Sequence, residues 1–318
     1  MAKQLQFELW EECGNGCLWC YLGHENEYTP DEVKLNSLNN ALKTISDLSN
    51  YPEFDTLSYL GGEFFQGQMK NPEVKSKFME LMAKTAELLR EGYIKEVWIY
   101  ATMTIGKQAD LYETLKLFEG HTDKVWVLTS YDTMGRFHTQ KMEDTWKYHM
   151  KHIHELYPDI KFNTTTILSA DCIEKYINNE ISFKDMMEEF HTSFFFKQVG
   201  CKEYSPREYN EKCNMNFVPK RSTFLKFLTK FKQQESPQMW DKLFNIKYRC
   251  DVLYRNGNTL DQQMQLNVRR KDDKNEIAVH MGSNKQETLI AECGHLLAYH
   301  AYCDCDGCVL CDKEMLGE

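Results

Sequence analysis

The sequence predicts an α/β protein: a parallel sheet wound as a barrel or an open layer, followed by a small cysteine-rich C-terminal region. Three observations predict it. Six segments of strand character alternate with helical segments between residues 4 and 199. The unusual residues fall just after those strands, at the sheet end where α/β folds carry their chemistry. After about residue 200 the alternation stops and the cysteines become dense.

The first strand is read over residues 4–9, and the loop after it carries Cys13, Cys17 and Cys20. Gly14 and Gly16 leave that loop free to wrap closely around a bulky inorganic group. A helix follows over 29–48, with Thr29 as N-cap, Pro30 in the first turn and Asp31 and Glu32 near its positive end. Strand two, over 55–60, ends in Gly61, Gly62 and Glu63, and a helix covers 72–90. Strand three, over 96–101, runs into Thr102, Met103 and Thr104, with a helix near 107–118. Strand four, over 124–129, is followed by Ser130, Tyr131 and Asp132, then by a helix over 139–157. Strand five covers 160–168, helices cover 171–177 and 183–190, and strand six covers 193–199.

Beyond that point, Phe224, Leu225, Phe227, Leu228 and Phe231 recur at helical spacing and predict a core-facing helix over 219–232. Lys220, Arg221, Lys226, Lys230 and Lys232 form its basic face, solvated or, alternatively, in contact with phosphates. Asn256–Gly257 is a hairpin turn signal.

The chain has 318 residues, 42% of them hydrophobic, which is enough for one large core with an appendage. No run approaches the roughly 18 apolar residues of a membrane span, and the first ten residues lack the form of a secretory signal. The expected location is therefore cytoplasmic, with no membrane partner. A net charge of −10 argues against whole-surface attraction to nucleic acid. Twelve cysteines in a reducing compartment argue for iron or zinc rather than disulfides.

The cysteine loop has the spacing C-x3-C-x2-C. Structural zinc takes four closed ligands, so three thiolates in one loop leave a coordination position open. Three thiolates can hold three irons of a [4Fe–4S] cluster and leave the fourth for an exogenous ligand. A ligand with an amine and a carboxylate could chelate that iron. Gly61 and Gly62 permit close backbone approach to it, and Glu63 can accept from an ammonium group. A zinc site completed from elsewhere in the chain is the alternative.

Cys13-x3-Cys17-x-Trp19-Cys20, with Gly61–Gly62–Glu63 after the second strand, resembles the radical S-adenosylmethionine (radical SAM) superfamily. The resemblance covers roughly residues 4–200 and implies a partial (β/α)6 TIM-type barrel over 1–200, with 201–318 as a cysteine-rich extension. It implies that Cys13, Cys17 and Cys20 ligate a [4Fe–4S] cluster and that Trp19 and Tyr21 lie near the adenine of S-adenosylmethionine. It gives Gly61, Gly62 and Glu63 the methionyl amino group. Ser130, Thr102 and Thr104 become polar contacts to the cofactor. The activity implied is reductive cleavage of S-adenosylmethionine to a 5′-deoxyadenosyl radical that takes a hydrogen atom from the substrate. A reductant protein such as flavodoxin or ferredoxin is the implied partner. Phe64 stands where many members have proline.

The tail carries Cys303, Cys305, Cys308 and Cys311 within nine residues, a spacing that binds metal. Together with Cys250 it resembles a reduced auxiliary-cluster extension of peptide-modifying radical enzymes, of the SPASM or twitch kind. That resemblance implies an auxiliary [4Fe–4S] cluster, with structural zinc as the alternative, and favours a peptide or protein substrate. A nucleobase or nucleotide substrate is the second reading, motivated by the basic helix. Cys201, Cys213, Cys293 and His295 are candidates to complete the tail site. A zinc-binding module and a simple iron–sulfur carrier are the readings from other classes. Cys172 is expected in the core. His149, His152 and His154 are expected on a solvated helix face among Lys147, Lys151 and Glu155.

Overall fold

In a computed structural model of the chain, residues 3–17, 28–48, 54–133, 135–197, 221–235, 265–271 and 274–280 are described. The elements are β1 (Lys3–Glu8), α1 (Asp31–Ser46), β2 (Phe54–Leu60), α2 (Pro72–Arg90), β3 (Glu96–Tyr100), α3 (Ala109–Lys116), β4 (Val125–Tyr131), α4 (Gln140–Leu156), β5 (Lys161–Ile167), α5 (Ala170–Ile177), α6 (Phe183–Phe190) and β6 (Thr192–Lys197). They are followed by α7 (Arg221–Gln234), β7 (Gln265–Lys271) and β8 (Lys274–His280).

Strands β1 to β6 are all parallel and lie side by side in chain order. With parallel strands in unbroken chain order, right-handed crossovers put the described helices between them on one face of the sheet. The sheet is open: β6 forms one edge, and β7 and β8 extend it beyond β1. This is the topology that a partial barrel requires. β7 runs parallel to β1 and turns back antiparallel into β8, a pairing that the sequence did not announce.

Alternation along each strand sorts side chains between the two faces. Leu57 and Tyr59, Val97 and Ile99, Val125 and Val127, and Phe194 and Phe196 are buried in the core toward the helices. Burial of side chains this size contributes about 1.5–3 kcal/mol each. The opposite face carries Gln6, Ser58, Trp98 and Trp126 in one row, set by the parallel registers. Among the described residues that face carries no helix and is polar and aromatic, whereas the residues just named on the face toward the helices are apolar.

Local chemistry explains the helix starts. Asn71 accepts from the Glu73 N–H with Pro72 at the first position, so α2 begins where the sequence reading put it. Thr139, Ser169 and Ser182 cap α4, α5 and α6 in the same way. Thr29 does not: Pro30 occupies the N-cap position of α1, with no side-chain cap, and Thr29 instead donates its N–H to Glu12 at 3.1 Å.

Two further expectations are corrected. Strand four continues through Ser130 and Tyr131, so Ser130 is inside β4 rather than after it. Pairing with β5 out to Tyr131↔Thr166 holds those residues extended. His149 is not solvated but 1% exposed. It shares a 2.7 Å hydrogen bond with the Tyr112 hydroxyl through Nδ1 and donates to the Ile105 carbonyl through Nε2 at 2.9 Å. That pairing ties α4 to α3 and to the loop after β3, which a helix-face count cannot reveal. Cys172 is fully buried as expected, and burial pushes its thiol up.

Helix α7 packs on α5, with Phe224, Phe227, Leu228 and Phe231 buried. Lys230 on its basic side donates to the Tyr176 and Ile177 carbonyls at the C-terminal end of α5, at 3.0 and 2.5 Å. The apolar side of this helix therefore faces the core as expected. The predicted hairpin at Asn256–Gly257 lies outside the described residues. Among the described residues no helix is long and apolar enough to cross a membrane.

Candidate functional site

The cysteine loop leaves β1 and lies directly on the turn that leaves β2. Beyond the paired strands their backbones stay hydrogen-bonded: Leu9 N–H to the Leu60 carbonyl, Gly62 N–H to Trp10 at 2.7 Å, and Glu63 N–H to Glu12 at 2.9 Å. The Trp10 indole returns a 3.0 Å bond to the Glu63 carbonyl. This contact explains the two glycines. A Cβ on Gly62 would sit 2.1 Å from the Glu12 oxygen, and one on Gly61, whose φ is +146°, would sit 2.3 Å from the Trp10 oxygen. The glycines admit the backbone of the cysteine loop before they admit any ligand.

Glu63 is 1% exposed, and its carboxylate is engaged by the protein. Oε1 accepts from the Phe64 and Phe65 N–H groups at 2.9 and 2.8 Å, and Oε2 accepts from the Thr102 N–H at 2.6 Å. Burial is the main influence on this carboxyl and pushes it up, against the pull of those donors. Phe64, where proline was the expectation from the resemblance, supplies an N–H that proline lacks. Glu63 thereby fixes the β2 turn to the loop after β3. Met103 in that loop has a positive φ of 57°, a strained conformation for a residue with a long side chain.

Gln66 joins the two halves. Its Nε2 donates to the hydroxyls of Thr102 and, at 2.7 Å, Thr104. Thr104 in turn donates to Asn15 Oδ1, and Asn15 Nδ2 donates to Cys17 Sγ at 2.9 Å. The donors therefore run in one direction, from Gln66 to the cysteine sulfur, which is the arrangement an electron-rich sulfur requires.

The third wall comes from the loop after β4. Asp132 is fully buried, accepting from the Ser169 hydroxyl and the Gly135 N–H, both at 2.6 Å. The turn it organises carries Arg136, 5% exposed, whose Nη1 reaches Cys17 Sγ at 3.9 Å. His138 Nε2 donates to the Asn15 carbonyl at 2.9 Å. Below the loop, Lys34 is 1% exposed and pairs with Glu12 at 2.7 Å while donating to the Gln68 carbonyl at 2.8 Å.

Cys13 and Cys17 thus face one small region that also holds Glu63, Thr102, Thr104 and Arg136. Ser130 lies apart from this network on β4, half-buried on the helix-free face beside Thr165. Cys20, Trp19 and Tyr21 lie outside the described residues, as do Cys201, Cys213, Cys250, Cys293, His295, Cys303, Cys305, Cys308 and Cys311. Among the described residues no three His, Cys, Asp or Glu side chains form a metal-holding group. Asn15, Gln66, Asp132, Arg136 and His138 were not anticipated. Asn15 sits between the first two cysteines and Arg136 just after the Ser-Tyr-Asp run, so position was the available signal.

The donor set fits an iron–sulfur group. Two thiols are gathered at the carboxyl end of a parallel sheet, and N–H donors meet the sulfur of one of them. Burial pushes the Cys13 thiol up to about 12, with Glu63 and Cys17 adding to the rise and the Asn15 N–H and Arg136 opposing it. Cys13 is therefore a thiol at neutral pH, and a metal bound there would release its proton. We expect iodoacetamide to alkylate metal-free Cys13 on the order of a thousandfold more slowly than an exposed cysteine at pH 8. The rate should still climb with pH well above 9. Mass spectrometry of the modified peptide reads both, and a rate that levels off near pH 8.5 would contradict the assignment.

No protein-family model matches this chain, and no curated protein matches it.

Proposed function

We propose that the chain is a radical SAM enzyme whose cofactors sit where the cysteine loop docks on the Gly61–Gly62–Glu63 turn. The observation that carries the reading is this docking. Two features far apart in sequence meet at the carboxyl end of an open parallel sheet, with N–H donors directed at a cysteine sulfur. A zinc module or a plain electron carrier would use that turn for loop packing alone, whereas the radical SAM reading also gives it a cofactor to meet.

Cys13 and Cys17, with Cys20, would hold the [4Fe–4S] cluster. The Gly61–Glu63 turn, Thr102, Thr104 and Ser130, with Trp19 and Tyr21, would hold S-adenosylmethionine. When bound, the pair supplies a one-electron cleavage that yields a hydrogen-abstracting radical. The protein supplies the rest. Asn15 and Arg136 donate to the Cys17 sulfur, and Glu63 holds the β2 and β3 loops in register. Because that carboxylate is already committed to backbone N–H groups, its first task is to shape the turn that meets the cofactor.

The substrate would lie against the helix-free face, where Trp98, Trp126 and Ser130 are half-buried. The expected peptide or protein substrate rests on the tail cysteines, where an auxiliary cluster or zinc would be bound. A nucleobase or nucleotide substrate is the second reading; Lys230 of the basic helix is engaged at the end of α5, while Lys226 on the same helix is exposed.

The test is anaerobic reconstitution with iron and sulfide, then reduction with dithionite in the presence of S-adenosylmethionine. We expect about four irons at the N-terminal site and release of 5′-deoxyadenosine. The Cys17→Ala variant should lose that release entirely while the helical circular dichroism stays unchanged. Undiminished 5′-deoxyadenosine from Cys17→Ala would refute the reading.

A further inference from the structure

A cluster held by three thiolates, one of them from the buried Cys17, is an anion, and it becomes more negative on reduction. It would also sit beside the Glu63 carboxylate, another buried acid whose field reaches Cys13. An uncompensated buried charge is strongly disfavoured, and each further negative charge more so. The site therefore needs a counter-charge that water cannot supply.

Arg136 meets that need. Its guanidinium is 5% exposed and reaches Cys17 Sγ at 3.9 Å. Its charge also acts on both Cys13 and Glu63. Its placement is not incidental to a floppy loop. Asp132 holds the turn through Gly135 N–H and Ser169 Oγ, and the Phe137 N–H closes it onto the Asp132 carbonyl. His138, two residues further, pins the same turn to the cysteine loop through the Asn15 carbonyl. The cation and the cysteine it faces are thus clamped together by contacts 119 and 123 positions apart in sequence.

We infer that Arg136 is a positioning residue that acts through the Cys17 sulfur to stabilise the reduced cluster, raising its midpoint potential and making it reducible by a protein donor. The inference rests on the radical SAM reading above. A positive charge and N–H donors at cluster sulfurs both favour the reduced state. Asn15 supplies a neutral donor to the same sulfur, so Arg136 is distinguished by its charge.

The test is a redox titration of the reconstituted full-length protein, followed by electron paramagnetic resonance without S-adenosylmethionine. Arg136→Lys keeps the charge and should keep the midpoint. Arg136→Gln keeps an N–H but loses the charge and should shift the midpoint negative. At the potential where the wild type is half reduced, its reduced fraction should be on the order of tenfold smaller. Iron content and thermal stability of each variant separate this effect from misfolding. If Arg136→Gln loads no iron, His138→Ala loosens the same clamp without removing the charge and should give a smaller negative shift.

An unchanged midpoint in a fully loaded Arg136→Gln protein overturns the inference. So does an unchanged midpoint with weakened S-adenosylmethionine binding, which would make Arg136 a carboxylate contact instead. Failure of the wild type to take up a cluster would refute the radical SAM reading itself, and is read separately from the iron count.

Discussion

Replacing Gly62 by alanine is expected to cost about 3 kcal/mol or more and to lower the melting temperature by roughly 6–12 °C. The added Cβ would lie 2.1 Å from the Glu12 carbonyl oxygen and 2.5 Å from that of Glu11. Neither side can yield easily. The β2 turn is tied to the cysteine loop by Gly62 and Glu63 N–H bonds, and Glu12 is held from behind by Lys34 at 2.7 Å. The strain is best relieved by pushing the cysteine loop away, so iron uptake should fall with stability. Gly14, by contrast, lies in the same loop with nothing nearer its Cβ position than Gln68 Nε2 at 4.0 Å. Gly14→Ala should stay within about 0.5 kcal/mol of wild type. Differential scanning calorimetry and an iron assay read the pair, and a Gly62→Ala protein that melts with the wild type would show that the two backbones are not in contact.

Glu63→Gln is the second large effect, expected at about 2–4 kcal/mol although it removes no volume. The carboxylate only accepts, and it receives Phe64, Phe65 and Thr102 N–H groups on its two oxygens. A carboxamide offers one accepting oxygen and turns an NH2 group on the remaining N–H. Each buried donor left without a partner costs about 1–3 kcal/mol, more where the lost acceptor was charged. Because the Thr102 bond joins the β2 and β3 loops, the damage should spread along Gln66 and Thr104 to Asn15 and Cys17. Amide hydrogen exchange should therefore quicken at Thr102 as well as at Phe64 and Phe65. If exchange rises only at Phe64 and Phe65, the bridge to Thr102 carries no weight.

The sequence by itself determined the alternation of strands and helices and, within two residues, where most elements start and stop. Those signals are local, carried by side-chain period, and the one cap read from them, Thr29, gives way to Pro30. It also singled out Cys13, Cys17 and Gly61–Gly62–Glu63 as chemistry-bearing, because those residue types are costly or idle in an ordinary loop. Tertiary structure decided why they belong together. The glycines are required by a backbone that lies 50 positions away, and Glu63 is spent on the β2 and β3 turns. Gln66, Arg136 and His138 look like ordinary polar loop residues until parallel strands in chain order bring their loops to one sheet end. His149 shows the same limit in reverse, since a charged helical neighbourhood says nothing about the Tyr112 and Ile105 groups that meet it. A hydrogen bond is specified by geometry between its two ends, and local periodicity carries no information about an end supplied by another element.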